Sequence, residues 1–152
     1  MLLLREKIFD SEITCLTEGT EEKKSYFIQG PFLQSEIKNR NGRVYPKRVL
    51  VKEVNRYQAE KIDRDMGVGE LDHPDTPHIN LKTISHKIVS LTEDGNNFIG
   101  KAKVLDTPCG MIVQNLIREG IRFGVSSRCL GSLKASNGVQ IVCDDLHMIT
   151  PR

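Results

Sequence analysis

The amino-acid sequence predicts a single-domain α+β fold with a mainly antiparallel sheet. Turn signals divide the 152 residues into short segments rich in β-branched and aromatic residues, which is typical of strands. Two segments with helical spacing of apolar residues stand between groups of strands rather than after every strand. An open sheet and a closed barrel both fit this pattern. A chain of this length accommodates one hydrophobic core, so we expect residues 1–152 to form one domain.

The first half of the chain predicts a strand followed by a helix. Ser25 to Leu33 contains aromatic and β-branched residues around Gly30-Pro31, which indicates a strand with a bulge or an interrupted edge. Asn39 to Tyr45 is a polar loop, and Pro46 then suits the first turn of a helix. From Lys47 to Asp65, apolar residues recur at spacings of four and three and predict one buried face: Leu50, Val54 and Tyr57.

Two hairpins are predicted in the second half. The first joins strands at 85–92 and 98–105 through a loop that contains an Asp-Gly pair, which suits a tight turn. The second joins a strand at 121–134 to a returning strand at 139–143 through Ser136-Asn137-Gly138. Each pair of strands is expected to be antiparallel.

A second helix is predicted between these hairpins. Thr107 is an N-cap residue, Pro108 suits the first helical position, and the apolar pattern runs from Met111 to Glu119. Gly120 follows where helices commonly end in a left-handed residue. The predicted total is about six strands and two helices.

The composition excludes several functional classes. Hydrophobic residues make up 38% and charged residues 28% of the chain, so a disordered chain is not expected. The net charge of +2 does not indicate a nucleic-acid or anionic-membrane surface. No apolar run approaches the roughly 20 residues of a membrane span, and no signal-peptide pattern opens the sequence. We therefore expect a soluble intracellular protein that binds neither nucleic acid nor membrane.

The cysteines are widely scattered and include no CxxC pair, so we expect reduced thiols rather than a zinc ribbon or a disulfide scaffold: Cys15, Cys109, Cys129 and Cys143. Cys109 follows Pro108 near a helix start, where thiolate character is favoured. The sequence shows no catalytic partner for it.

The segment Gly69-Glu70-Leu71-Asp72-His73-Pro74 contains a candidate general base. Because His73 precedes a proline, its backbone is disfavoured in a helix and is expected at the end of a strand. The near-neutral pKa of imidazole suits proton transfer. A surface or capping histidine is the alternative interpretation of this residue.

Nearby residues raise a metal-binding alternative, because histidines and carboxylates at short spacing can bind zinc. The candidate ligands are His73, Asp75 and His78, with Asp72 and His86 close in sequence. Two prolines separate the first two histidines, so the spacing matches no regular ligand geometry. Solvated loop residues are the other interpretation.

The stretch from Phe123 to Leu133 contains a candidate nucleophile. Ser126 and Ser127 stand beside Arg128 in a β-rich run flanked by glycines. A serine nucleophile needs a nearby base, N–H donors for the developing oxyanion and room for the substrate backbone, and glycine serves the last two needs. A serine-rich strand whose hydroxyls bond locally is the alternative.

Three motifs, in the same order, resemble those of the prohead core proteases of myovirus-type tailed phages. Residues 39–50 resemble the family stretch N-R-N-x-R-x-Y-P-K-R-[IV]-L, and residues 69–74 resemble G-E-L-x-H-P. Residues 124–133 resemble G-V-S-S-R-G-x-G-S, with Cys129 where the family usually has glycine. The resemblance covers roughly Ser25 to Met148, and the first two dozen residues add little to it.

The resemblance implies a small β-barrel with peripheral helices, similar to the herpesvirus assemblin proteases, and a serine endopeptidase activity. Carried over by motif, His73 is the general base and Ser126, the first serine of the pair, is the nucleophile. We assign Ser127 and Arg128, with the adjacent backbone N–H groups, to oxyanion stabilisation. No cofactor or metal is needed for this mechanism.

The third member of a catalytic triad is not identified by the motifs. Related proteases continue past the position of Arg152 with an acidic residue on a strand, so we expect that this chain lacks the family's C-terminal continuation and that the third member lies there. Within the chain, Asp145 and His147 are the candidates.

The resemblance also implies partners and a location. The expected substrates are scaffold and core proteins, the major capsid protein and the protease itself, with self-association, inside the immature head in the host cytoplasm. Two alternatives remain: a non-catalytic head-core assembly module of the same fold, and a metal-dependent hydrolase that uses His73, Asp75 and His78.

Overall fold

The computed structural model describes residues 1–8, 13–71 and 76–151. These residues form eleven strands and two α-helices, with a short π-helical turn at Gln58–Ile62 and a 3-10 turn at Leu81–Thr83. The strands are β1 Leu2–Ile8, β2 Thr14–Gly19, β3 Lys24–Gln34, β4 Arg43–Val44, β5 Val68–Glu70, β6 Ile84–Asp94, β7 Asn97–Val104, β8 Val125–Gly131, β9 Leu133–Ser136, β10 Val139–Val142 and β11 His147–Pro151. The helices are α1 Lys47–Tyr57 and α2 Pro108–Arg118.

The largest sheet is antiparallel and has the strand order β2-β3-β7-β6-β5. Its centre is the predicted hairpin of β6 and β7, which closes through a turn of two residues, Gly95 and Asn96, and is tighter than the predicted loop. Gly95 has a φ of 62°, a conformation that glycine adopts without steric cost. The predicted strand at 25–33 is confirmed as β3, and its bulge lies between Pro31 and Leu33.

Two smaller sheets complete the architecture. Strand β8 lies between β1 and β11, antiparallel to both, and β10 lies between β4 and β9. The predicted turn before β10 is confirmed, since Asn137 and Gly138 have φ values of 48° and 81°, as a tight hairpin turn requires. The predicted strand at 121–134 is divided, because the chain is a strand only from Val125 and is interrupted at Ser132.

The prediction of a mainly antiparallel α+β fold is confirmed. The described residues do not form the closed barrel. Their strands belong to three sheets with open strand orders, and β2 and β5 remain the edges of the largest one. The count of six strands was too low. Strands of two to four residues, such as β4 and β5, are too short to show an alternating pattern.

The helices cover the sheets through the faces that the sequence predicts. Helix α1 buries Leu50, Val54 and Tyr57, but regular α-helix ends at Tyr57 rather than at Asp65. In α2, the Thr107 hydroxyl accepts a hydrogen bond of 3.0 Å from the N–H of Gly110, as an N-cap does, and Gly120 follows the helix with a φ of 71°. None of the described helices has the length and apolar character needed to cross a membrane.

One large apolar core joins the strands and helices. It contains side chains from α1, from the central strands of the largest sheet and from β8, together with residues near β11, and its most buried large members are Tyr57, Phe32, Phe98, Leu4, Leu50, Ile88 and Met148. The core reaches β8 through Val125 and Cys129. It therefore fixes the strand that contains the candidate nucleophile.

Candidate active site

Strand β8 is the central strand of its sheet and carries Ser126, Ser127 and Arg128. Lys7 of β1 is the register partner of Ser126. All three β8 residues are buried, with exposed fractions of 4%, 1% and 3% respectively. Hydrogen bonding on both edges restrains the backbone of β8, so the candidate nucleophile lies on a rigid element.

The side chains of this strand point to opposite faces of the sheet. Arg128 contacts Glu70, whereas Ser127 lines a small cavity with Glu6 and Tyr45. Because alternate residues of a strand share a face, Ser126 lies on the Arg128 side. The two adjacent hydroxyls therefore have different surroundings.

Arg128 forms a buried ion pair with Glu70, the second residue of the G-E-L-x-H-P motif. Arg128 Nη2 donates to Glu70 Oε1 at 2.5 Å, and the two side chains are 3% and 0% exposed. The other carboxylate oxygen accepts from the Thr83 hydroxyl at 2.7 Å and from the Asn80 N–H at 3.3 Å. This pair joins two of the three motifs found in the sequence.

The electrostatics of Glu70 follow from these contacts. Burial raises the pKa of a carboxyl group, but hydrogen bonds from Thr83, Arg128 and Asn80, with the charge of the guanidinium, lower it by more. The pKa of Glu70 is therefore below its usual range. Glu70 is ionised at neutral pH and neutralises the buried arginine.

His73 lies outside the described residues, as do Asp72 and Asp75. The chain on either side of residues 72–75 is tied to neighbouring elements. The N–H of Leu71 donates to Thr83 O at 2.9 Å, and Arg128 Nη2 donates to His78 O at 3.4 Å. Both flanks of the segment that contains the candidate base are thus held beside β6 and β8.

The opposite face of β8 holds a second buried carboxylate, Glu6 of strand β1. Glu6 accepts hydrogen bonds from Asn41 Nδ2 at 2.7 Å and from Arg43 Nη1 at 3.0 Å, and also from the Tyr45 hydroxyl. Burial, with the nearby negative groups, raises the pKa of Tyr45 well above its usual range, so the phenol stays protonated as a donor. Residues 41–45 of the first motif therefore anchor β1.

A largely apolar cavity of about 300 Å³ lies next to the two catalytic motifs. Its lining includes Glu70 and Leu71 from one motif, Gly124 and Val125 from the other, and His86 of β6. It therefore adjoins the residues immediately before Ser126 and those immediately before residues 72–75.

The other predicted site residues lie apart from Ser126. Asp145 is exposed and accepts hydrogen bonds from the N–H and hydroxyl of Ser132, which lower its pKa. His147 is exposed at the start of β11, and its register partner, Leu130, is about 13 Å along the strand from Ser126, at 3.3 Å per residue. Neither arrangement favours these residues as the group that orients the base.

Of the residues considered as metal ligands, His78 is exposed, whereas His86 is buried on β6. The Nδ1 atom of His86 is 2.8 Å from the Ser85 hydroxyl. A Cβ atom on Gly69 would lie 2.0 Å from His86 Nε2, so the first residue of the G-E-L-x-H-P motif must be glycine for β5 to pack on this ring. Within residues 1–8, 13–71 and 76–151, no three potential ligands cluster around a metal site.

All four cysteines are free. Cys129 is buried on β8, and burial, followed by the charges of Glu53 and Glu6, raises the pKa of its thiol well above the usual range. The residue that differs from the family motif is thus an inert part of the core.

Two buried carboxylates, Glu6 and Glu70, were given no role in the sequence analysis. Glu70 stood inside a recognised motif, next to the candidate base, and that proximity was the one available signal. Glu6 stood in a segment with no motif.

Comparison with known proteins shows the family of this chain. The family model of the prohead core protein serine protease matches residues 8–150. The prohead core protein protease of Enterobacteria phage T4 is 39% identical over 124 residues, which cover 79% of this chain and 58% of the relative's length. The solved structure of the bacteriophage T4 capsid assembly protease superposes with a TM-score of 0.87 at 33% identity, covering 98% of this chain and 94% of that one. This chain therefore belongs to the prohead core protein serine protease family.

Proposed function

We propose that this chain is a serine endopeptidase in which Ser126 is the nucleophile and His73 is its general base. The observation that carries the proposal is the buried contact between Arg128 and Glu70. Arg128 is two residues after Ser126 on the same face of β8, and Glu70 is three residues before His73. The contact brings the two motifs together. Such proximity is needed if His73 is to accept a proton from Ser126.

The proposed reaction is acyl transfer. His73 accepts the proton of the Ser126 hydroxyl, and the oxygen attacks the carbonyl carbon of the peptide bond. The tetrahedral oxyanion is stabilised by N–H donors near Ser127 and Arg128. His73 then gives the proton to the leaving amine, and water releases the acyl group in a second step. No metal or cofactor takes part.

The third group of the triad stays a prediction. Asp145 and His147 are the candidates within this sequence, and the positions of both, apart from Ser126, favour neither. The similarity of the fold to herpesvirus assemblin proteases likewise stays a prediction.

We infer from the names of the relatives that the substrates are the scaffold and core proteins of the prohead and the major capsid protein, with the protease itself as a further substrate. The location is then the inside of the prohead in the infected host cell, and self-association is expected there. The balanced net charge of +2 supports no nucleic-acid or membrane partner.

The test is labelling with a fluorophosphonate, a reagent that reacts with activated serines, together with cleavage of prohead core proteins. We expect the wild-type chain to be labelled at Ser126 and the His73→Ala variant to be labelled far more slowly. Cleavage without labelling that a chelator abolishes would favour the metal-dependent hydrolase. A folded chain with neither labelling nor cleavage would favour the assembly module.

A further inference from the structure

The carboxylate of Glu70 connects three separate pieces of the chain. Its donors are Arg128 on β8, the Thr83 side chain in the 3-10 turn and the backbone of Asn80 just before that turn. Each is far from Glu70 in the sequence, by at least ten residues. A single side chain thus links the end of β5 to the strand of Ser126 and to the approach to β6.

Arg128 in turn reaches both flanks of residues 72–75. Its Nη2 atom donates to the Glu70 carboxylate before this segment and to the His78 carbonyl after it, at 2.5 and 3.4 Å. Two points of attachment to one guanidinium restrict where the segment begins and ends relative to β8.

Strand β5 cannot provide this restriction by itself. It has three residues, lies at the edge of the largest sheet and pairs only with β6. Its register shifts between Gly69 and Glu70, so regular pairing is disturbed where the motif begins. Strand β8 belongs to a different sheet, so no backbone ladder sets its separation from β5.

Stability alone does not account for this ion pair. Removing two charges from water costs several kcal/mol per ion, and apolar residues of similar volume often stabilise a protein as well or better. The pair instead gives a fixed distance and direction between two strands, because a charged hydrogen bond is short and directional.

We propose that Glu70 is a positioning residue for the peptidase reaction, acting through Arg128 to hold both flanks of residues 72–75 at a fixed distance from Ser126. This inference rests on the proposed function. Glu70 does not touch the reacting atoms. It holds the described residues on either side of that segment next to the strand of Ser126, and a displacement of catalytic groups by about 1 Å can lower turnover by about 100-fold.

The experiment compares Glu70→Gln with the wild-type chain, using a fluorogenic peptide that the wild type cleaves. We expect kcat to fall about 100-fold with KM nearly unchanged, because substrate binding survives while the catalytic groups are misplaced. Fluorophosphonate labelling of Ser126 should slow in parallel. Glu70→Asp keeps the charge but shortens the reach, so we expect it to fold and to lose about tenfold in kcat.

Glu53→Gln is the matched control. Glu53 is also a buried carboxylate paired with an arginine, Arg56, and it accepts a hydrogen bond of 2.6 Å from the N–H of Met148 on β11. Its loss should lower the melting temperature as much as that of Glu70 while leaving kcat close to the wild-type value.

Each outcome bears on the inference. A wild-type kcat in Glu70→Asp or in folded Glu70→Gln overturns the positioning role, as does an equal loss of kcat in Glu53→Gln. If the wild-type chain shows no cleavage that depends on Ser126, the proposed function fails and the positioning role fails with it. Cleavage that depends on Ser126 but not on Glu70 sinks the positioning role alone.

Discussion

Each face of strand β8 carries an ion pair between a glutamate and an arginine, but the two pairs connect different parts of the chain. On one face Glu70 pairs with Arg128, and on the other Glu6 pairs with Arg43. The side chains of the first pair are 0% and 3% exposed, and those of the second are 11% and 21% exposed. Each carboxylate also accepts from a hydroxyl, of Thr83 and Tyr45 respectively. The difference lies in what each carboxylate connects.

The donors to Glu6 come from one short stretch, residues 41–45, so that cluster anchors one strand to one loop. The donors to Glu70 come from separate elements, namely strand β8, the 3-10 turn at Leu81–Thr83 and the residue before that turn. The comparison teaches that a buried carboxylate can anchor one strand to one loop or connect several separate elements. Its contacts, rather than its burial, separate the two roles.

The largest expected effect is a loss of kcat that separates Ser126, on one face of β8, from Ser127, on the other. Ser126→Ala should lower kcat by about four orders of magnitude or more, because the nucleophile is removed. Ser127→Ala should stay within about tenfold of the wild type, because its hydroxyl points to the Glu6 face. The measurement is peptide cleavage, with melting temperatures to show that both variants fold. Equal losses would mean that the nucleophile is assigned to the wrong serine.

The second prediction concerns whether His73 and Ser126 act as a unit. His73→Ala should lose nearly as much activity as Ser126→Ala, and the double variant should be scarcely worse than either. Single-turnover rates of the three variants provide the check. Losses that multiply would show that the two residues have separate roles.

The third prediction removes one hydroxyl from each face. Tyr45→Phe deletes a donor to buried Glu6 and should lower the free energy of unfolding by about 2 kcal/mol, with kcat unchanged. Thr83→Val deletes a donor to Glu70 and should cost about 1–2 kcal/mol, with kcat reduced about threefold. Chemical denaturation and peptide kinetics measure the two quantities. A loss of kcat in Tyr45→Phe alone would reverse the roles given to the two faces.

The smallest expected effect is a difference in how stability depends on pH in acid. The folded-state pKa of Glu70 is lowered, so its stabilising contribution is complete above its unfolded pKa of about 4.3 and is lost as the pH falls through the folded value. Between pH 4.5 and 2, the stability of Glu70→Gln should therefore fall less steeply than that of the wild type. Asp145 titrates in the same range in both proteins and cancels in the comparison. Parallel curves would contradict the prediction.

The elements that were predicted correctly are those whose signals are local. Thr107, Pro108 and Gly120 define α2 through its own backbone, and Asn137-Gly138 defines a turn through positive φ values. Such features depend on neighbouring residues and can be recognised in one sequence. The motif that contains Ser126 was recognised in the same way, by resemblance.

What could not be predicted depends on distant parts of the chain. The pairing of β1 with β8 joins residues that are more than a hundred positions apart, and Glu70 meets Arg128 across 58 positions. Neither the strand pairing nor the ion pair leaves a periodic signal in the sequence. Buried glutamates are unusual, and the sequence alone does not distinguish a buried glutamate from a solvated one. The closed barrel was implied by the family resemblance and not by the strand pattern, because alternation along strands does not reveal which edges are paired.

The pairing of β1 with β8 also has a consequence for synthesis on the ribosome. Translation proceeds at roughly 5–20 residues per second, so β1 precedes its partner by on the order of 10 s. Until β8 emerges, β1 lacks the strand with which it pairs. The β1–β8 ladder, which buries Ser126 in a central strand, therefore assembles only after both strands have left the ribosome.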